Sequence, residues 1–229
     1  MVRLRTGDWA GMSFVLAALV FALSASVSVA EPRNLDVLKR EIRAYVKSGD
    51  YEREVARVAT RARSWIEERA ARDARGVAGR QKLAVVMDLD ETLLSNWPSM
   101  NDADFAYVPA AWDVWVDRGE APAIEAVREV YRAARAAGVA VFFLTGRTER
   151  DRAGTEKNLR AIDCADYEAL ICRAAEAKGT NADYKAAERR RLIDQGYVIV
   201  ANIGDQDSDL AGGFAERIFK LPNPFYLTE

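Results

Sequence analysis

The sequence predicts a three-layer α/β domain built on a parallel central sheet. Short apolar runs typical of buried strands, at residues 83–87, 139–144 and 197–203, alternate with longer segments whose apolar residues repeat at helical spacing. Gly138 and Gly196 each stand between a helical segment and the strand that follows it, where glycine commonly ends a helix. Strands that alternate with helices in this way form parallel sheets with helices packed on both faces.

Two amphipathic helices are expected ahead of the sheet, at residues 35–46 and 51–66. A turn joins them, and Asp50 is suited to cap the second helix. Residues 31–75 therefore form an N-terminal helical extension, and the polar stretch at residues 72–81 is expected to be a loop. The remaining predicted elements are helices at residues 124–137 and 181–195 and short strands at residues 169–172 and 217–220.

An insertion at residues 93–121, between the first strand and the helix that follows, is rich in aromatic side chains. From its position we expect it to form a small cap on the domain. Its side chains either pack the cap against the core, which is the commoner role of aromatic residues, or offer ring faces to a ligand. These residues are Trp97, Phe105, Tyr107, Trp112 and Trp115.

The first thirty residues are organised like a secretory signal peptide. Arg3 and Arg5 provide a positive start, residues 14–23 are an unbroken apolar run, and residues 24–30 are small and weakly apolar. A membrane anchor is the alternative, but the apolar core is shorter than the about 20 residues that span a bilayer. We therefore expect cleavage after Ala30 and export, to the periplasm in a Gram-negative bacterium and otherwise outside the cell. Residues 31–229 would then form a single domain with no stable membrane span.

Histidine is absent from the 229 residues, which excludes Ser-His-Asp and Cys-His catalysis and zinc held by histidine. Leu170 and Lys178, rather than arginine, lie six positions after the two cysteines, which argues against cysteine-based phosphate transfer. Cys164 and Cys172 either pair in an oxidising compartment or remain small buried residues. With 33 basic and 35 acidic residues, the chain offers no electrostatic case for a nucleic acid polymer as partner. Catalysis must therefore use carboxylates, lysine, hydroxyl groups and a metal.

Polar side chains follow three of the predicted strands. Ligands of open α/β sheets bind beyond the carboxyl ends of the strands, so these side chains should meet at one edge of the sheet. Lys185 lies on the helix that leads into the fourth strand. The three stretches are Asp88-Leu89-Asp90-Glu91-Thr92, Thr145-Gly146-Arg147 and Gly204-Asp205-Gln206-Asp207-Ser208-Asp209.

This set of residues fits the transfer of a phosphoryl group. Magnesium prefers oxygen ligands, and it would offset the repulsion between clustered carboxylates and an anionic phosphate ester. Asp88 could then attack phosphorus and form an aspartyl-phosphate. Asp90, two positions on, could protonate the leaving oxygen and later deprotonate the attacking water. Thr145, Gly146 N–H and Lys185 would hold the oxygens of the transferred group.

Each motif also has a simpler interpretation. Asp-x-Asp after a strand can cap a helix that begins near Thr92. Thr-Gly-Arg is ordinary turn chemistry, and exposed helical lysines are common. Asp205, Asp207, Asp209 and Glu216 occupy positions 1, 3, 5 and 12 of a calcium loop, although Leu210 stands where that loop needs glycine. The phosphoryl-transfer hypothesis therefore depends on the motifs occurring together.

The ordered motifs Asp-Leu-Asp-Glu-Thr, Phe-Leu-Thr-Gly-Arg, Tyr-Lys and Gly-Asp-Gln-x-Ser-Asp-Leu resemble those of the haloacid dehalogenase (HAD) superfamily. More narrowly, the chain resembles the subfamily IIIB acid phosphatases, which include plant vegetative storage proteins and bacterial class C acid phosphatases. The resemblance implies a Rossmann-like HAD fold and one Mg²⁺ per active site. Asp207 stands where an aromatic residue is common, which affects the local shape of the pocket.

The resemblance also implies the roles of individual residues. Asp88 would be nucleophile and metal ligand, and Asp90 acid/base, with its main-chain carbonyl on the metal. Thr145 and Lys185 would bind phosphate. Asp205 would bind magnesium, and Asp209 would support it directly or through another ligand.

The function expected from the residues and the resemblance together is that of a secreted, magnesium-dependent acid phosphatase acting on small phosphate monoesters. We expect an acidic optimum because Asp90 must be protonated in the first step. Aromatic residues of the cap region stack on nucleobases in class C enzymes, so 5′-nucleotides are the substrate hypothesis, and packing of Trp112 and Trp115 against the core is the alternative. A phosphotransferase of the same fold and a non-enzymatic storage or binding protein remain the other candidates.

Overall fold

Parallel strands form the central sheet of the computed structural model, which describes residues 31–76, 81–176 and 178–228. The strands are β1 (Lys82–Met87), β2 (Ala140–Thr148), β3 (Ala169–Arg173), β4 (Tyr197–Gly204) and β5 (Ile218–Lys220). Their order across the sheet is β3-β2-β1-β4-β5, and each neighbouring pair is parallel. The predicted parallel sheet is confirmed, with β1 at its centre.

Helices lie on both faces of the sheet and in the cap. The longer helices are α1 (Leu35–Lys47), α2 (Asp50–Ala74), α5 (Glu125–Ala136), α6 (Arg152–Ala161) and α7 (Asn181–Asp194). The cap contains α3 (Trp97–Asp102) and α4 (Pro109–Arg118), a 3₁₀ turn (Glu149–Asp151) follows β2, and the short helix α8 (Asp207–Leu210) follows β4.

The side chains of β1 alternate between two apolar clusters, one on each face of the sheet. Leu83, Val85 and Met87 join the larger cluster, together with side chains of α2, α5 and α6. Ala84 and Val86 belong to the smaller cluster, which α7 covers. A strand buried on both faces is typical of a parallel sheet between two layers of helices, so the three-layer prediction is confirmed.

The predicted cap leaves the core at Leu93 and Leu94, which are fully buried, and returns to it at the buried Ala121. Between these points α4 packs closely against α6. A Cβ atom at Gly154 of α6 would lie 2.3 Å from the carbonyl oxygen of Val116, so a residue larger than glycine would push the two helices apart. The cap is therefore anchored to the core along α6.

Some local predictions differ from the structure. β2 continues to Thr148, four residues beyond its predicted end, because Thr148 still pairs with Arg173 of β3. Helix α2 extends to Ala74, so the loop expected from residue 72 begins later. Gly49, with a φ of 75°, takes the N-cap position of α2, and Asp50 is the first residue of the helix.

The two cysteines do not form a disulfide in the structure. Cys164 and Cys172 are both free and buried. Burial raises the pKa of each thiol to about 11. Of the two alternatives that the sequence left open, the structure therefore shows two buried thiols.

The segment Asn34–Glu229 forms one compact unit. The predicted signal peptide falls on residues 1–30, which lie outside the described residues. Within the described ranges, no helix has the length and apolarity needed to cross a membrane.

Candidate active site

The carboxyl ends of β1 and β4 bring aspartates together at one edge of the sheet. Asp88 directly follows β1 and Asp205 directly follows β4, two strands that pair in parallel up to Met87 and Ile203. Asp209 lies in the short helix after β4. Carboxylate oxygens of Asp88, Asp205 and Asp209 lie within 4.8 Å of one another, and all three residues are buried. The structure thus places these predicted site residues side by side.

Lys185 of α7 joins two of these aspartates. Its Nζ donates hydrogen bonds to Asp88 Oδ1 and to Asp209 Oδ1, each at 2.6 Å, and the residue is buried. Among the residues that the structure describes, no other cationic side chain is hydrogen-bonded to the carboxylate oxygens of Asp88, Asp205 or Asp209. Three ionised carboxylates around one ammonium leave an excess of negative charge, which is costly in a buried site.

The pKa values of the site reflect this crowding. Burial raises the pKa of Asp88 well above its ordinary value, Lys185 opposes the rise, and Asp209 and Asp205 add to it. Burial and the charge of Asp209 raise the pKa of Asp205 to about 6. Burial lowers the pKa of Lys185, but the charges of Asp88 and Asp209 outweigh it, and the net pKa of Lys185 is raised. These groups therefore need further positive charge if all the carboxylates are to be ionised together.

A divalent cation fits this arrangement. The donor set consists of carboxylate oxygens, which magnesium prefers, and its charge would balance the excess that Lys185 leaves. Asp88, Asp205 and Asp209 are the residues that could hold it.

Uncharged hydrogen-bond donors hold both carboxylate oxygens of Asp205 and the second oxygen of Asp209. Asp205 Oδ1 accepts a hydrogen bond from Thr92 Oγ1 at 3.1 Å, and Asp205 Oδ2 accepts from Gln206 Nε2 and Asn223 Nδ2, each at 2.6 Å. The main-chain N–H of Gln206 donates to Asp209 Oδ2 at 2.8 Å. The orientations of both carboxylates are thus set without adding positive charge.

The calcium-loop interpretation does not fit the structure. Asp207 is exposed, away from the buried pair Asp205 and Asp209. Glu216, which would supply the last ligand of such a loop, pairs instead with Arg69 of α2 at 3.0 Å. The acidic stretch after β4 therefore joins Asp88 rather than forming a separate cation loop.

Asp90 is held by residues from the second strand and from the cap. Arg147 Nε donates to Asp90 Oδ1 and Oδ2, each at 3.1 Å, and Arg147 Nη2 donates to Oδ1 at 2.6 Å. Asn96 Nδ2 donates to Oδ1 at 2.8 Å. Burial acts to raise the pKa of Asp90, but the charge and hydrogen bonds of Arg147 and the hydrogen bond of Asn96 outweigh it, and the pKa is lowered.

Glu91, the next residue, is fully buried and has a φ of 52°. It accepts hydrogen bonds from the main-chain N–H of Asn96 at 2.6 Å and from Tyr226 Oη at 2.8 Å. Burial and the charge of Asp90 raise the pKa of Glu91 to about 8. Glu91 thus ties the loop after β1 to the start of the cap and to the C-terminal segment.

A cavity of about 690 Å³ lies at this edge, between the cap and the carboxyl ends of the strands. Asp88, Asp90, Gly146 and Lys185 contribute to its wall. Thr145 is fully buried, and its Oγ1 accepts a hydrogen bond from the main-chain N–H of Arg147 at 3.1 Å. Gly146 is therefore open to a ligand, while the hydroxyl of Thr145 braces the backbone beside it.

The cap aromatics divide into two groups. Trp115 packs against the main core, and its Nε1 donates to Asn96 Oδ1 at 2.8 Å. Trp112 lines the cavity, where the Arg147 guanidinium lies 5.5 Å from its ring. Tyr107 also lines the cavity and is 73% exposed. The packing alternative thus describes Trp115, whereas Tyr107 presents a ring to the cavity.

Several residues of the site had no predicted role. Arg189, one helical turn after Lys185, is fully buried and donates to the carbonyl oxygens of Asp209 at 2.6 Å, of Gly213 at 3.0 Å, and of Ala211. Its spacing from Lys185 on the same helix is a signal that sequence analysis could have used.

Asn96 lies in the predicted insertion at residues 93–121 and Arg147 in the Thr-Gly-Arg motif, but no role was predicted for either. Asn223 lies in the C-terminal segment, where no motif points to it.

The chain therefore belongs to the class of parallel α/β domains that have a buried acidic centre at the carboxyl end of the sheet, beneath a small inserted cap. The sequence profile of the HAD superfamily, subfamily IIIB (acid phosphatase), matches residues 16–229, so the chain belongs to that family. The predicted resemblance is confirmed.

Individual relatives agree with this assignment. The chain is 40% identical to Acid phosphatase 1 of Solanum lycopersicum over 146 residues, which are 62% of this chain and 57% of the tomato protein. It is 34% identical to Vegetative storage protein 1 of Arabidopsis thaliana over 147 residues, which are 62% of this chain and 54% of that protein. The match therefore spans little more than half the length of these two relatives.

A solved structure supports the fold. The class C acid phosphatase from Bacillus anthracis superposes with a TM-score of 0.66 at 24% identity, covering 83% of this chain and 86% of that one. At this level of identity the similarity concerns the architecture of the domain.

Proposed function

We propose that this chain is a magnesium-dependent acid phosphatase that hydrolyses small phosphate monoesters through an aspartyl-phosphate on Asp88. The observation that carries the proposal is the contact of one ammonium with two buried carboxylates beside a ligand-sized cavity. Lys185 Nζ lies 2.6 Å from both Asp88 Oδ1 and Asp209 Oδ1. Membership of the subfamily IIIB acid phosphatases supports the reaction class.

Asp88, Asp205 and Asp209, with the main-chain carbonyl of Asp90, would hold one Mg²⁺. When bound, the ion supplies positive charge that offsets the repulsion between the carboxylates and the phosphate oxygens. Lys185 supplies a second positive charge that stays with the protein, and Gly146 offers a main-chain N–H at the cavity wall. The phosphate-binding role of Thr145 stays a prediction, since its hydroxyl is fully buried.

The reaction proceeds in two steps, formation of the aspartyl-phosphate and its hydrolysis. In the first, an oxygen of Asp88 forms a bond to phosphorus, the ester P–O bond breaks, and Asp90 gives its proton to the departing oxygen. In the second, Asp90 takes a proton from water, the water oxygen bonds to phosphorus, and the bond between phosphorus and Asp88 breaks. The products are an alcohol and inorganic phosphate, and both aspartates return to their starting states. An acidic optimum follows from the proton that Asp90 must carry in the first step.

The cavity can hold more than a phosphate group. Its volume of about 690 Å³ lies within the range of roughly 300–1,000 Å³ that is usual for small-molecule sites. Tyr107 could stack on a base, a contact worth roughly 1–3 kcal/mol. We therefore propose 5′-nucleotides as substrates, with Tyr107 as the ring most available to the base. Export, guided by residues 1–30, remains part of the proposal.

A panel of phosphate monoesters assayed with the wild type and with Asp88→Asn, each with and without a metal chelator, tests this function. We expect activity that requires a divalent cation, falls toward neutral pH, and is lost in Asp88→Asn. Added acceptor alcohols would reveal a phosphotransferase through the ratio of transferred to free phosphate. A purified protein that is inactive on every ester with magnesium present would favour the storage or binding role.

A further inference from the structure

We infer that Asn96 is a positioning residue that connects the cap to Asp90, through a hydrogen-bonded chain from Trp115 to Asn96 to Asp90. The inference rests on the proposed function, because it concerns the residue expected to protonate the leaving group. It gives Trp115 a part in the reaction although its ring is packed away from the cavity.

The contacts of the Asn96 side chain define its orientation. Trp115 Nε1 donates to Asn96 Oδ1 at 2.8 Å, and an indole N–H can only donate. The atom of Asn96 that faces Trp115 must therefore be the oxygen, and the amide nitrogen must point the other way. That nitrogen donates to Asp90 Oδ1 at 2.8 Å and to Glu91 Oε2 at 3.1 Å. Both amide hydrogens are thus in use.

Burial makes these contacts hard to replace with water. Asn96 is 1% exposed, and its main-chain N–H is also bound, to Glu91 Oε1 at 2.6 Å. If the indole N–H were lost, the amide oxygen would be left without a partner in a buried place, and the amide could rotate. The cap helix α4, which carries Trp115, therefore controls where the amide nitrogen points.

The chain of contacts also distinguishes the two oxygens of Asp90. Oδ1 accepts from Asn96 Nδ2 and from Nε and Nη2 of Arg147. Oδ2 accepts only the 3.1 Å bond from Arg147 Nε among the residues that the structure describes. Oδ2 is therefore the oxygen with room for a proton, and Asn96, by binding Oδ1, helps to hold the carboxylate in that orientation.

The dependence of kcat/KM on the leaving group tests this role. This ratio reports the steps up to departure of the alcohol, in which Asp90 acts. An alkyl phosphate needs a proton on its leaving oxygen, whereas a nitrophenyl phosphate leaves readily without one. General acid catalysis contributes roughly 10²–10⁴-fold, so a misplaced acid should cost the alkyl ester about 10–100-fold and the aryl ester under about threefold.

Trp115→Phe is the sharpest variant, because it removes the indole N–H and keeps an aromatic ring in the core. Trp65→Phe is the matched control, since Trp65 Nε1 donates to Val200 O at 2.8 Å and Trp65 does not line the cavity. Asn96→Ala removes the amide itself. We expect both Trp115→Phe and Asn96→Ala to lower kcat/KM selectively for the alkyl ester, and Trp65→Phe to leave the ratio of the two esters unchanged. Inhibition by inorganic phosphate should stay within about twofold, because Lys185 is untouched.

The possible failures are distinguishable. Equal losses on the two esters in Trp115→Phe, or a ratio like that of Trp65→Phe, would overturn the positioning role even if Asn96→Ala fails to fold. An active wild type and an inactive Asp88→Asn would still support the proposed function, even if Trp115→Phe shows no positioning role. A wild type without phosphatase activity would overturn the proposed function and this inference with it.

Discussion

Lys185 donates a hydrogen bond of 2.6 Å to Asp88 Oδ1, although the two residues are 97 positions apart in the sequence. The parallel sheet makes this contact possible, because Asp88 follows the central strand β1 while α7, which carries Lys185, packs against one face of the sheet. The ammonium reduces the desolvation cost of an ionised Asp88 but also shares its charge with Asp209. The contact therefore makes Lys185 part of the charge balance of the site, and the phosphate-binding role that we propose for it would use the same ammonium.

Replacing Lys185 with Met should lower activity far more than Lys185→Arg. Met keeps the apolar stem of the side chain and removes the ammonium, so the carboxylates of Asp88 and Asp209 lose their one cationic hydrogen-bond partner among the described residues. We expect a loss of about 10²–10³-fold in kcat/KM, comparable to removing one electrostatic donor from an active site. Arg keeps the charge but changes its shape, so partial activity should remain. Steady-state assays of the two variants with saturating magnesium give these activities. Equal activity of Lys185→Met and wild type would contradict the role proposed for Lys185.

Arg147→Met should destabilise the protein through Asp90. The Arg147 side chain is 2% exposed and that of Asp90 is 19% exposed, so the variant leaves a largely buried carboxylate without its ion-pair partner. We expect the free energy of unfolding to fall by about 3 kcal/mol, the lower end of the range for breaking a buried pair.

Arg63→Ala is the control for that experiment, because Arg63 and Glu67 form an exposed pair on α2. It should leave the free energy of unfolding nearly unchanged, because exposed ion pairs contribute little to stability. Urea unfolding of both variants gives the comparison. Similar losses of unfolding free energy in the two variants would show that the ion pair of Arg147 contributes no more to stability than an exposed pair.

Gly204→Ala should weaken the response to magnesium. A Cβ atom at Gly204 would lie 2.4 Å from Asp209 Cβ, so the side chain of Asp209 must move. We expect the magnesium concentration for half-maximal activity to rise about tenfold or more, in line with the effect of disturbing the groups that orient metal ligands. Gly76→Ala serves as the control, since its Cβ would lie 3.3 Å from Asp73 O, and it should leave magnesium activation unchanged. An unchanged requirement in Gly204→Ala would contradict a role for Asp209 at the metal.

Asp104→Asn should change how stability depends on pH. Asp104 of the cap accepts hydrogen bonds of 2.6 Å from Lys39 and from Arg43 of α1, and these contacts lower its pKa. A lowered folded-state pKa stabilises the fold above the ordinary aspartate pKa of about 3.9, and the contribution disappears as the pH falls through the lowered value.

The difference in unfolding free energy between wild type and Asp104→Asn should therefore be present at neutral pH and vanish in strong acid. Urea unfolding across that pH range measures it. Because Asp104 is exposed, high salt should reduce the difference as well. A difference that grows on acidification would contradict this sign.

The sequence predicted the sheet and the convergence of motifs because both depend on local patterns. Apolar runs mark β1 and β4, and Asp88 and Asp205 directly follow them. The end of β2 was placed too early because Thr145 to Thr148 are not apolar, although Thr148 is still paired with β3. The hydrogen-bond partners of Asp90, in contrast, are set by the folded structure and not by local sequence patterns. Arg147 is 57 positions from Asp90, and nothing in the spacing indicates that its guanidinium turns back to that carboxylate.

Trapping of the phosphorylated enzyme tests the central claim most directly. Wild type and Asp88→Asn would be mixed with an aryl phosphate and magnesium, quenched in acid within a single turnover, digested, and mapped by mass spectrometry. We predict one phosphoryl group on the peptide that contains Asp88 in the wild type and none in Asp88→Asn. A phosphoryl group on another residue, or full phosphatase activity in Asp88→Asn, would contradict Asp88 as the nucleophile.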